Sequence, residues 1–541
     1  MLPSDVGIQV LTILLSFAVY KSAGYSDQSA ETGEQESSTN VSLKYAVIVD
    51  CGSSGTRAHI FNWPGNATGD RLLVEVQPSL DPQTGRPLVI KIRPGLASLR
   101  DRADEASDYM KPVMDFISRH IPEDLHQKTP VYFKGTAGLR LLTKEEQTEI
   151  LNDIAADLKV EYNFPHLFTE VIGGDQEGVY QWLSINSLSN RLNPAHDIRT
   201  GQDFYCQAPN GRRYGMLELG GASAQVTFEI SPEIDRLISF YLSRNPEALR
   251  IFKASRSKLA FGSNTTTEVF STTFLGLGTN SARDLAVDLL IRDAIKLPVR
   301  HPFIGTFTPI FYGPNTNLIL ADPCLPTGGQ EVRLKPVDIL YNQTKTIGYI
   351  ARAGDDLFNV RLIGKGNYIE CQILLNRLIT LAKKERLKCE TGDELCSTAL
   401  LETNFVPFQV LQFLGLGELF YTTNEMINAA GRFTIMVARR TVSICSTDYQ
   451  TLLRQYPDAN HYSSKRTLLE CFKATWMLTW LQSGIRMPLF ADLTNVGNIE
   501  GKELDWALGA MISLLFEEQL TRPAMLFREV SAQYGLSDEA R

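Results

Sequence analysis

Two short segments of the sequence each place an acidic residue before a run of small residues. Asp50 precedes the turn Gly52-Ser53-Ser54-Gly55, and Glu218 precedes the turn Gly220-Gly221-Ala222-Ser223. Consecutive small residues allow backbone N–H groups to crowd around an anion without obstruction. A carboxylate beside that anion requires a cation between the two. The two segments therefore predict a phosphate site with a divalent cation, Ca²⁺ or Mg²⁺, held largely through water.

Each of these turns lies between two apolar runs of strand character. Residues 45–49 and 58–61 flank the first turn, and residues 214–219 and 225–230 flank the second. This pattern predicts two β-hairpins with polar tips. A single hairpin of this kind is also typical of an ordinary tight turn. The repetition favours a binding role and predicts a duplicated architecture that holds the ligand between its halves.

Two further segments between the hairpins carry groups that could act on a phosphate. Thr136 lies in a Gly-Thr-Ala-Gly turn between a strand and a helix, where its hydroxyl serves either a bound anion or the helix N-cap. Glu177 lies in the first turn of a helix that follows Gly173-Gly174. A carboxylate there is usually a partner of the helix dipole. Beside a phosphate site, Glu177 is placed to take a proton from an attacking water, with Asp175 as the alternative.

The composition bounds the class of protein that carries these segments. At roughly 150 residues per domain, the 541-residue chain predicts two to four domains. Its 43% hydrophobic and 21% charged residues exclude collagen, coiled coil and wholesale disorder. Its 53 Lys+Arg against 61 Asp+Glu, without a basic block, predict no nucleic-acid partner.

The N-terminal residues predict entry into the secretory pathway. Residues 6–20 are uncharged but fall short of the about 20 apolar residues that span a bilayer. They are typical of a signal peptide over residues 1–24, although the first five residues lack Lys and Arg, which leaves a single signal anchor open. Residues 25–43 are rich in Ser, Glu, Gln and Thr, which predicts a disordered leader.

Sequons and cysteines favour a lumenal or secreted location. Asn-x-Ser/Thr sequons occur at Asn40, Asn66, Asn264 and Asn342. The short polar loop from Cys389 to Cys396 is typical of a disulfide-closed turn, which an oxidising compartment allows. A Cys-x-x-Cys pair is absent from the sequence, which argues against a cysteine-built zinc site.

The order of the four segments resembles the apyrases, also called nucleoside triphosphate diphosphohydrolases. These enzymes belong to the superfamily of actin, sugar kinases and heat-shock ATPases. Asp505 to Met511 resembles the fifth conserved apyrase region, and Phe274 to Gly278 and Ala321 to Pro326 are further matches. The segments DCGSSGTR, QEGVY and FLGLGTNSAR are similar to those of the Golgi-type members that prefer UDP and GDP.

The resemblance implies a fold and a chain division. The fold is α/β, with two actin-like, ribonuclease-H-like lobes and a nucleotide cleft between them. Lobe I is expected over residues 44–173 plus 499–530, and lobe II over residues 174–498. The disulfides it implies are Cys324 with Cys371, Cys389 with Cys396, and Cys445 with Cys471. Cys51 and Cys206 are left over, and Cys51 is expected to be a buried thiol.

The resemblance also implies a role for each site residue. Asp50 and Glu218 organise the divalent cation through water, and Glu177 is the catalytic base. Thr136, Ser223 and Gln225 orient the nucleophilic water. The phosphate-binding residues are Ser53, Ser54, Gly55, Thr56, Gly220, Gly221 and Ala222. The nucleobase stacks on Tyr421 or Phe405.

One departure from the family pattern concerns the metal. Relatives usually have Asp where this chain has Glu218, and the extra methylene moves the carboxylate outward by about 1.5 Å.

The activity implied is hydrolysis of the terminal phosphate of nucleoside diphosphates, and also of triphosphates, by direct in-line attack of water. The expected location is the lumen of the secretory pathway, and the expected compartment is the Golgi. The alternative is a broad-specificity apyrase that acts on ATP and ADP and is secreted or located at the cell surface. A catalytically weak nucleotide-binding protein is a second alternative, for which Glu218 is the support. The sequence leaves the preferred base, the preferred metal and the oligomeric state open.

Overall fold

The first sheet is built around the hairpin that carries Asp50. The computed structural model describes residues 42–68, 75–192, 212–261, 265–296, 317–336, 357–385, 394–426, 431–432, 435–456, 464–489 and 491–517. The strands of the first sheet are β1 (Leu43–Cys51), β2 (Thr56–Pro64), β3 (Gln77–Pro78), β4 (Val89–Ile92), β5 (Val131–Gly135) and β6 (Leu167–Val171). Their order is β3-β2-β1-β5-β6, and β4 also pairs with β2. β1 and β2 are antiparallel, whereas β5 is parallel to β1 and to β6.

Alternation along β1 sends its apolar residues into two different cores. Val47 and Val49 pack in one cluster with the helices α1 (Ala106–His120) and α3 (Lys144–Glu161). Ala46 and Ile48 pack on the opposite face with α4 (Gly174–Leu188) and a helix over residues 507–517. The short helix α2 (Ala137–Arg140) follows β5 directly. The first sheet is therefore covered by helices on both faces.

The second sheet repeats the pairing pattern of the first. Its strands are β7 (Gly215–Leu219), β8 (Ser223–Glu229), β9 (Arg256–Phe261), β10 (Thr265–Leu275), β14 (Phe413–Gly417), β15 (Gly431–Arg432) and β16 (Leu493–Asn495). They lie in the order β15-β16-β14-β7-β8-β10-β9. β7 and β8 form an antiparallel hairpin, and β14 is parallel to β7 as β5 is to β1. Both predicted hairpins and the duplication are confirmed.

Helices and a smaller sheet surround the second sheet. The α-helices are α5 (Pro232–Leu242), α6 (Pro246–Ala254), α7 (Thr279–Lys296), α8 (Tyr368–Glu385), α9 (Glu418–Tyr421), α10 (Ile435–Ser446), α11 (Tyr449–Gln455) and α12 (Ser464–Thr479). The 3₁₀ helices Leu96–Leu99, Ala103–Glu105 and Glu123–Lys128 precede β5 of the first sheet, whereas Glu394–Leu400 follows α8. The π-helices are Thr422–Met426 and Trp480–Gly484. The remaining strands are β11 (Asn317–Asp322), β12 (Gln330–Pro336), β13 (Leu357–Gly364), β17 (Asn498–Ile499) and β18 (Lys502–Glu503). β11, β13 and β12 form a three-stranded sheet, and β17 pairs with β18.

One core cluster joins the two large sheets. It contains Ile48 of the first sheet, Met216 and Leu414 of the second, and side chains of α4 and of the helix over residues 507–517. Residues from Leu43 onward accordingly form one unit. The two hairpins are thus held in a fixed relation by helices that contact both sheets.

Two of the expected disulfides are present. Cys324 is bonded to Cys371, and Cys445 to Cys471. Cys51 is a buried free thiol, as expected. The third expected pair involves Cys389, which lies outside the described residues, as does Cys206.

The N-terminal predictions, over residues 1–24 and most of 25–43, also fall outside the described residues. Within the described ranges, none of the helices is long and apolar enough to cross a membrane.

Candidate active site

The tips of the two hairpins are closed by the same hydrogen bond. The N–H of Gly52 donates to the carbonyl of Gly55 at 3.1 Å, and the N–H of Gly220 donates to the carbonyl of Ser223 at 3.0 Å. Each closure leaves two central residues at the tip, and in the first hairpin these are exposed. The described backbone hydrogen bonds do not use the N–H groups of the four central residues. Both tips therefore offer donors to a ligand.

The two tips face one another. A Cβ atom placed on Gly221 would lie 3.1 Å from the Oγ of Ser53. This distance is shorter than an ordinary van der Waals contact, so the missing side chain of Gly221 is what lets the Ser53 hydroxyl approach. Ser53 and Gly221 come from different sheets. The gap between the sheets therefore lies between the two predicted phosphate loops.

A glycine backs each of the two tips. A Cβ on Gly138 of α2 would lie 2.7 Å from the Cα of Ser53, and a Cβ on Gly278, just before α7, would lie 2.4 Å from the backbone nitrogen of Ser223. Real side chains essentially never come this close to backbone atoms. The positions of both tips therefore depend on glycine at residues 138 and 278.

Helix α7 fixes the direction of the peptide groups in the second tip. The N–H groups of Thr279 and Asn280 donate to the carbonyls of Gly220 and Gly221, each at 2.8 Å. The C=O and N–H of a trans peptide point in opposite directions. Because both carbonyls point at α7, the N–H groups of Gly221 and Ala222 point away from it. Such adjacent amides form an anion-binding concavity.

Asp50 and Glu218 are the penultimate residues of β1 and β7, beside these tips. The Oδ1 of Asp50 and the Oε2 of Glu218 are buried, and neither has a hydrogen-bond partner among the described residues. Burial and repulsion by Asp505 raise the pKa of Asp50 to about 7. Burial and repulsion by Glu177 raise the pKa of Glu218 to about 8. Both carboxyl groups thus resist being charged without a further positive charge beside them.

These two oxygen donors fit a hard divalent cation. Ca²⁺ and Mg²⁺ prefer carboxylate oxygens and water, and a cation would relieve the repulsion between the buried acids. Across the described part of the chain, no three His, Cys, Asp or Glu side chains are close enough to hold a metal directly. The residues present therefore fit a cation that is held with water in its shell.

Glu177 is held rigidly at the start of α4. Its carboxylate accepts a hydrogen bond from Nη2 of Arg140 at 2.9 Å, and Nη1 of the same guanidinium donates to the carbonyl of Ile172 at 3.1 Å. The Glu177 carboxylate contributes to the raised pKa of both Asp50 and Glu218, so it shares their environment. Asp175, the alternative base, is exposed to solvent.

The three residues expected to orient water lie at the roots of the tips. The hydroxyl of Thr136 donates to the carbonyl of Cys51 at 3.4 Å and does not cap α2. Gln225 lies opposite Glu218 across the hairpin, and its buried Nε2 has no partner among the described residues. Ser223 closes the second turn and is 4% exposed. Of the remaining predicted phosphate ligands, Thr56 is fully buried below the first tip.

Three ionisable residues lie in the site although the sequence predicted no role for them there. Arg57 lies opposite Asp50 across the first hairpin, with Nη1 3.4 Å from Oδ2. His59 lies two residues further along β2, and its Nε2 is 3.2 Å from Oδ2 of Asp505. The sequence contains part of the information needed to find these residues. Residues 57 and 59 lie on the same face of the hairpin as Asp50, and residue 505 begins the fifth apyrase-like segment.

The two aromatic residues expected to stack on the base differ in exposure. Tyr421 is 42% exposed, and the guanidinium of Arg466 lies 5.5 Å from its ring centroid. Phe405 is fully buried and packs against Phe270 and Phe274. The expectation for Phe405 is therefore corrected, because a ring enclosed in the core offers no face to a nucleobase.

The duplicated sheets and facing tips define a two-lobed α/β protein of the actin-like class. Residues 35–525 match the model of the GDA1/CD39 (nucleoside phosphatase) family, and the chain belongs to that family. The apyrase resemblance is thereby confirmed, and the protein is a nucleotide phosphatase.

Curated relatives align with most of the chain. Ectonucleoside triphosphate diphosphohydrolase 7 of Homo sapiens is 29% identical over 503 residues, which cover 90% of this chain and 76% of the relative. Nucleoside-diphosphatase mig-23 of Caenorhabditis elegans is 27% identical over 486 residues, which cover 86% and 76%. A crystal structure of nucleoside triphosphate hydrolases from Neospora caninum matches with a TM-score of 0.52 and 17% identity, over 89% of this chain and 94% of that one. This last likeness supports the fold alone.

Proposed function

We propose that this protein hydrolyses the terminal phosphate of nucleoside diphosphates such as UDP and GDP, with Ca²⁺ or Mg²⁺. The observation that carries the proposal is the 3.1 Å approach of Ser53 Oγ to the Cβ position of Gly221. That approach brings two sets of free backbone donors to the two sides of one gap. The name of mig-23, a nucleoside-diphosphatase, supports the diphosphate substrate.

The chain's own residues supply the positions and the proton acceptor. The phosphate groups lie between the tips, where N–H groups and the Ser53 hydroxyl donate to their oxygens. Thr136, Ser223 and Gln225 orient a water in line with the bond to be broken. Glu177 accepts the proton of that water as the new P–O bond forms and the bridging P–O bond breaks. The products are a nucleoside monophosphate and inorganic phosphate.

The divalent cation belongs to the same site. Asp50 and Glu218 would hold it through water, and when bound it neutralises charge on the phosphate oxygens. The nucleobase would stack on the exposed ring of Tyr421 in the short helix α9. This helix begins directly after Gly417, whose Cβ position lies 3.7 Å from Cγ of Glu218. Tyr421 and the phosphate site therefore lie near one another, as a single nucleotide requires.

We also place the enzyme in the lumen of the secretory pathway, with the Golgi as the compartment. Two disulfides support an oxidising compartment. The sequon residue Asn66 is exposed, so it is accessible to glycosylation. The uncharged run over residues 6–20 supports a signal peptide or a single N-terminal anchor.

A broad apyrase that also acts on ATP is the second candidate. The name of the human relative, a triphosphate diphosphohydrolase, favours it. Phosphate release from UDP, GDP, ADP and ATP, each with Ca²⁺, Mg²⁺ or chelator, separates the two candidates. Turnover of diphosphates at least tenfold faster than that of triphosphates supports the diphosphatase, and equal turnover supports the apyrase.

The role of Glu177 is tested by Glu177→Gln, which keeps the shape of the side chain but removes the proton acceptor. We expect kcat for UDP to fall by about 10²- to 10⁴-fold, the usual contribution of a general base. Asp175→Asn is the matched control, because it lies in the same helical turn but faces solvent, and its kcat should stay within about twofold of wild type. A Glu177→Gln enzyme as fast as wild type would rule out this mechanism.

A further inference from the structure

Asn280 lies beside the gap between the two tips. Its Nδ2 is 2.9 Å from the Cβ position of Gly221, the same point that lies 3.1 Å from the Ser53 hydroxyl. The side chain is exposed, and its carboxamide forms no hydrogen bond within the described ranges. A polar group thus flanks Gly221 together with Ser53, at the place where the two tips meet.

The backbone of Asn280 is fixed on both sides. Its own N–H donates to the carbonyl of Gly221, so the residue moves with the second tip. One turn further along α7, the fully enclosed guanidinium of Arg283 pairs with Asp322 and with Glu331, the latter at 2.6 Å. This pairing ties the start of α7 to the three-stranded sheet. The carboxamide is therefore presented from a rigid helix end.

The chemistry of the carboxamide matches a phosphate oxygen. An Asn side chain offers two N–H donors without a charge, and here it stands beside the outward N–H groups of Gly221 and Ala222. The carboxamide nitrogen lies beside Gly221 on the side of α7, and the N–H groups of Gly221 and Ala222 point away from α7, so the same tip offers donors in both directions. An anion at the tip would meet donors from both sheets.

We propose that Asn280 is a substrate-binding residue, which donates a hydrogen bond from its carboxamide to the phosphate held between Ser53 and Gly221. This inference rests on the proposed function, because that function puts a phosphate between the tips. The residue contributes to binding of the phosphate and takes no part in proton transfer.

The test compares Asn280→Ala and Asn280→Asp with the wild-type full chain. Asn280→Ala removes the donor and should weaken binding of α,β-methylene-UDP, a non-hydrolysable analogue, by about 10-fold, as the loss of one hydrogen bond to a charged group implies. Asn280→Asp places a negative charge at the same position and should weaken binding by about 100-fold or more. In both variants KM for UDP should rise by more than kcat falls.

Stability separates this role from a structural one. A carboxylate in the first turn of a helix favours the helix dipole, so Asn280→Asp should melt no lower than wild type although it binds the analogue poorly. Asn245→Asp is the matched control, since Asn245 caps α6 through its Oδ1 and aspartate keeps that cap. Its analogue binding should equal that of wild type.

Equal analogue affinity in Asn280→Asp and wild type overturns this inference, even where the wild type hydrolyses UDP. A wild type that binds the analogue about 100-fold more tightly than Asn280→Asp, but releases no phosphate from any nucleotide, supports the inference and overturns the proposed function. Absence of analogue binding by the wild type overturns both.

Discussion

Individual residues decide the charge balance at the base of the cleft. Three acids each have a cationic partner, and the pairs are Asp50 with Arg57, Glu177 with Arg140, and Asp505 with His59. The fourth acid, Glu218, has no ion-pair partner in the part of the chain that the structure describes. This difference fits the pKa of Glu218, which at about 8 lies above that of Asp50 at about 7 and that of Asp505 at about 2, and it makes a cation a suitable counter-charge for this carboxylate.

The pair of His59 and Asp505 joins the first hairpin to the C-terminal segment. Burial opposes the charged state of both, but the pairing raises the pKa of His59 and lowers the pKa of Asp505 to about 2. The raised imidazole contributes stability that is present below its unfolded pKa and is lost as pH rises through its folded pKa. The lowered carboxyl contributes stability that is lost only as pH falls towards about 2.

We therefore expect His59→Ala to destabilise the protein more at pH 6 than at pH 9. At pH 6 the loss in free energy of unfolding should be about 1.5–3 kcal/mol beyond the loss at pH 9, as for a charged hydrogen bond. Urea unfolding with chelator at both pH values measures this. His120→Ala serves as the control, since its Nδ1 hydrogen-bonds to the carbonyl of Phe116 in its own helix. A loss for His59→Ala that is the same at pH 6 and pH 9 contradicts the pairing.

At the scale of elements, each hairpin works with the segment that backs it. α2 brings Gly138 against the first tip, and the approach to α7 brings Gly278 against the second. The two tips come from different sheets but are supported in the same way. The loop conformations that expose the N–H groups are thus determined by helix–loop packing rather than by the loops alone.

Gly278→Ala is expected to displace the second tip. Its Cβ would meet the backbone nitrogen of Ser223 at 2.4 Å, which no rotamer can relieve. We expect kcat/KM for UDP to fall by about 10²-fold, since small misplacements of binding groups are costly. Gly501→Ala is the control, because its Cβ meets nothing within 4 Å, although its φ of +77° makes alanine strained there.

Both variants should lose some stability, and only Gly278→Ala should lose activity in proportion to the shift of the loop. A Gly278→Ala enzyme with wild-type kcat/KM would show that the second tip does not hold the substrate.

Local elements of the site were predictable from sequence, whereas their meeting was not. The two hairpins and the helix that starts with Glu177 follow from strand runs, small-residue turns and a Gly-Gly break, all of which act within about ten residues. The pairing of His59 with Asp505 joins residues from opposite ends of the chain, and only tertiary packing creates it. The same packing exposes Tyr421 and encloses Phe405. The sequence alone does not indicate which of the two rings is accessible to a nucleobase.

At the scale of the whole molecule, the acids of the cleft belong to both sheets. Asp50 is the penultimate residue of β1 in the first sheet, and Glu218 is the penultimate residue of β7 in the second. A cation between them would link the two sheets across the cleft and relieve a repulsion that the metal-free protein carries. Cation binding should therefore appear as a change in global stability with a defined dependence on pH.

The sign of that dependence follows from the raised pKa values. The pKa of Asp50 rises from 3.8 to about 7, and the pKa of Glu218 rises from 4.5 to about 8. At a pH between the ordinary and the raised pKa of each carboxyl group, the folded protein binds more protons than the unfolded chain. Its stability therefore falls as pH rises through this range. Below about pH 4 both states are protonated and the effect vanishes.

We expect the melting temperature in chelator to fall from pH 5 to pH 8.5. Ca²⁺ or Mg²⁺ should raise the melting temperature strongly at pH 8.5 but little at pH 5, because the cation competes with protons for the same carboxyl groups. Glu218→Gln should reduce both the pH dependence and the effect of the cation. It removes the carboxyl group whose pKa, at about 8, is the higher of the two. Glu149→Gln, an exposed position on α3, is the matched control and should leave both unchanged. Cation stabilisation of equal size at the two pH values, or equal in Glu218→Gln and wild type, would place the cation elsewhere and remove Glu218 from its site.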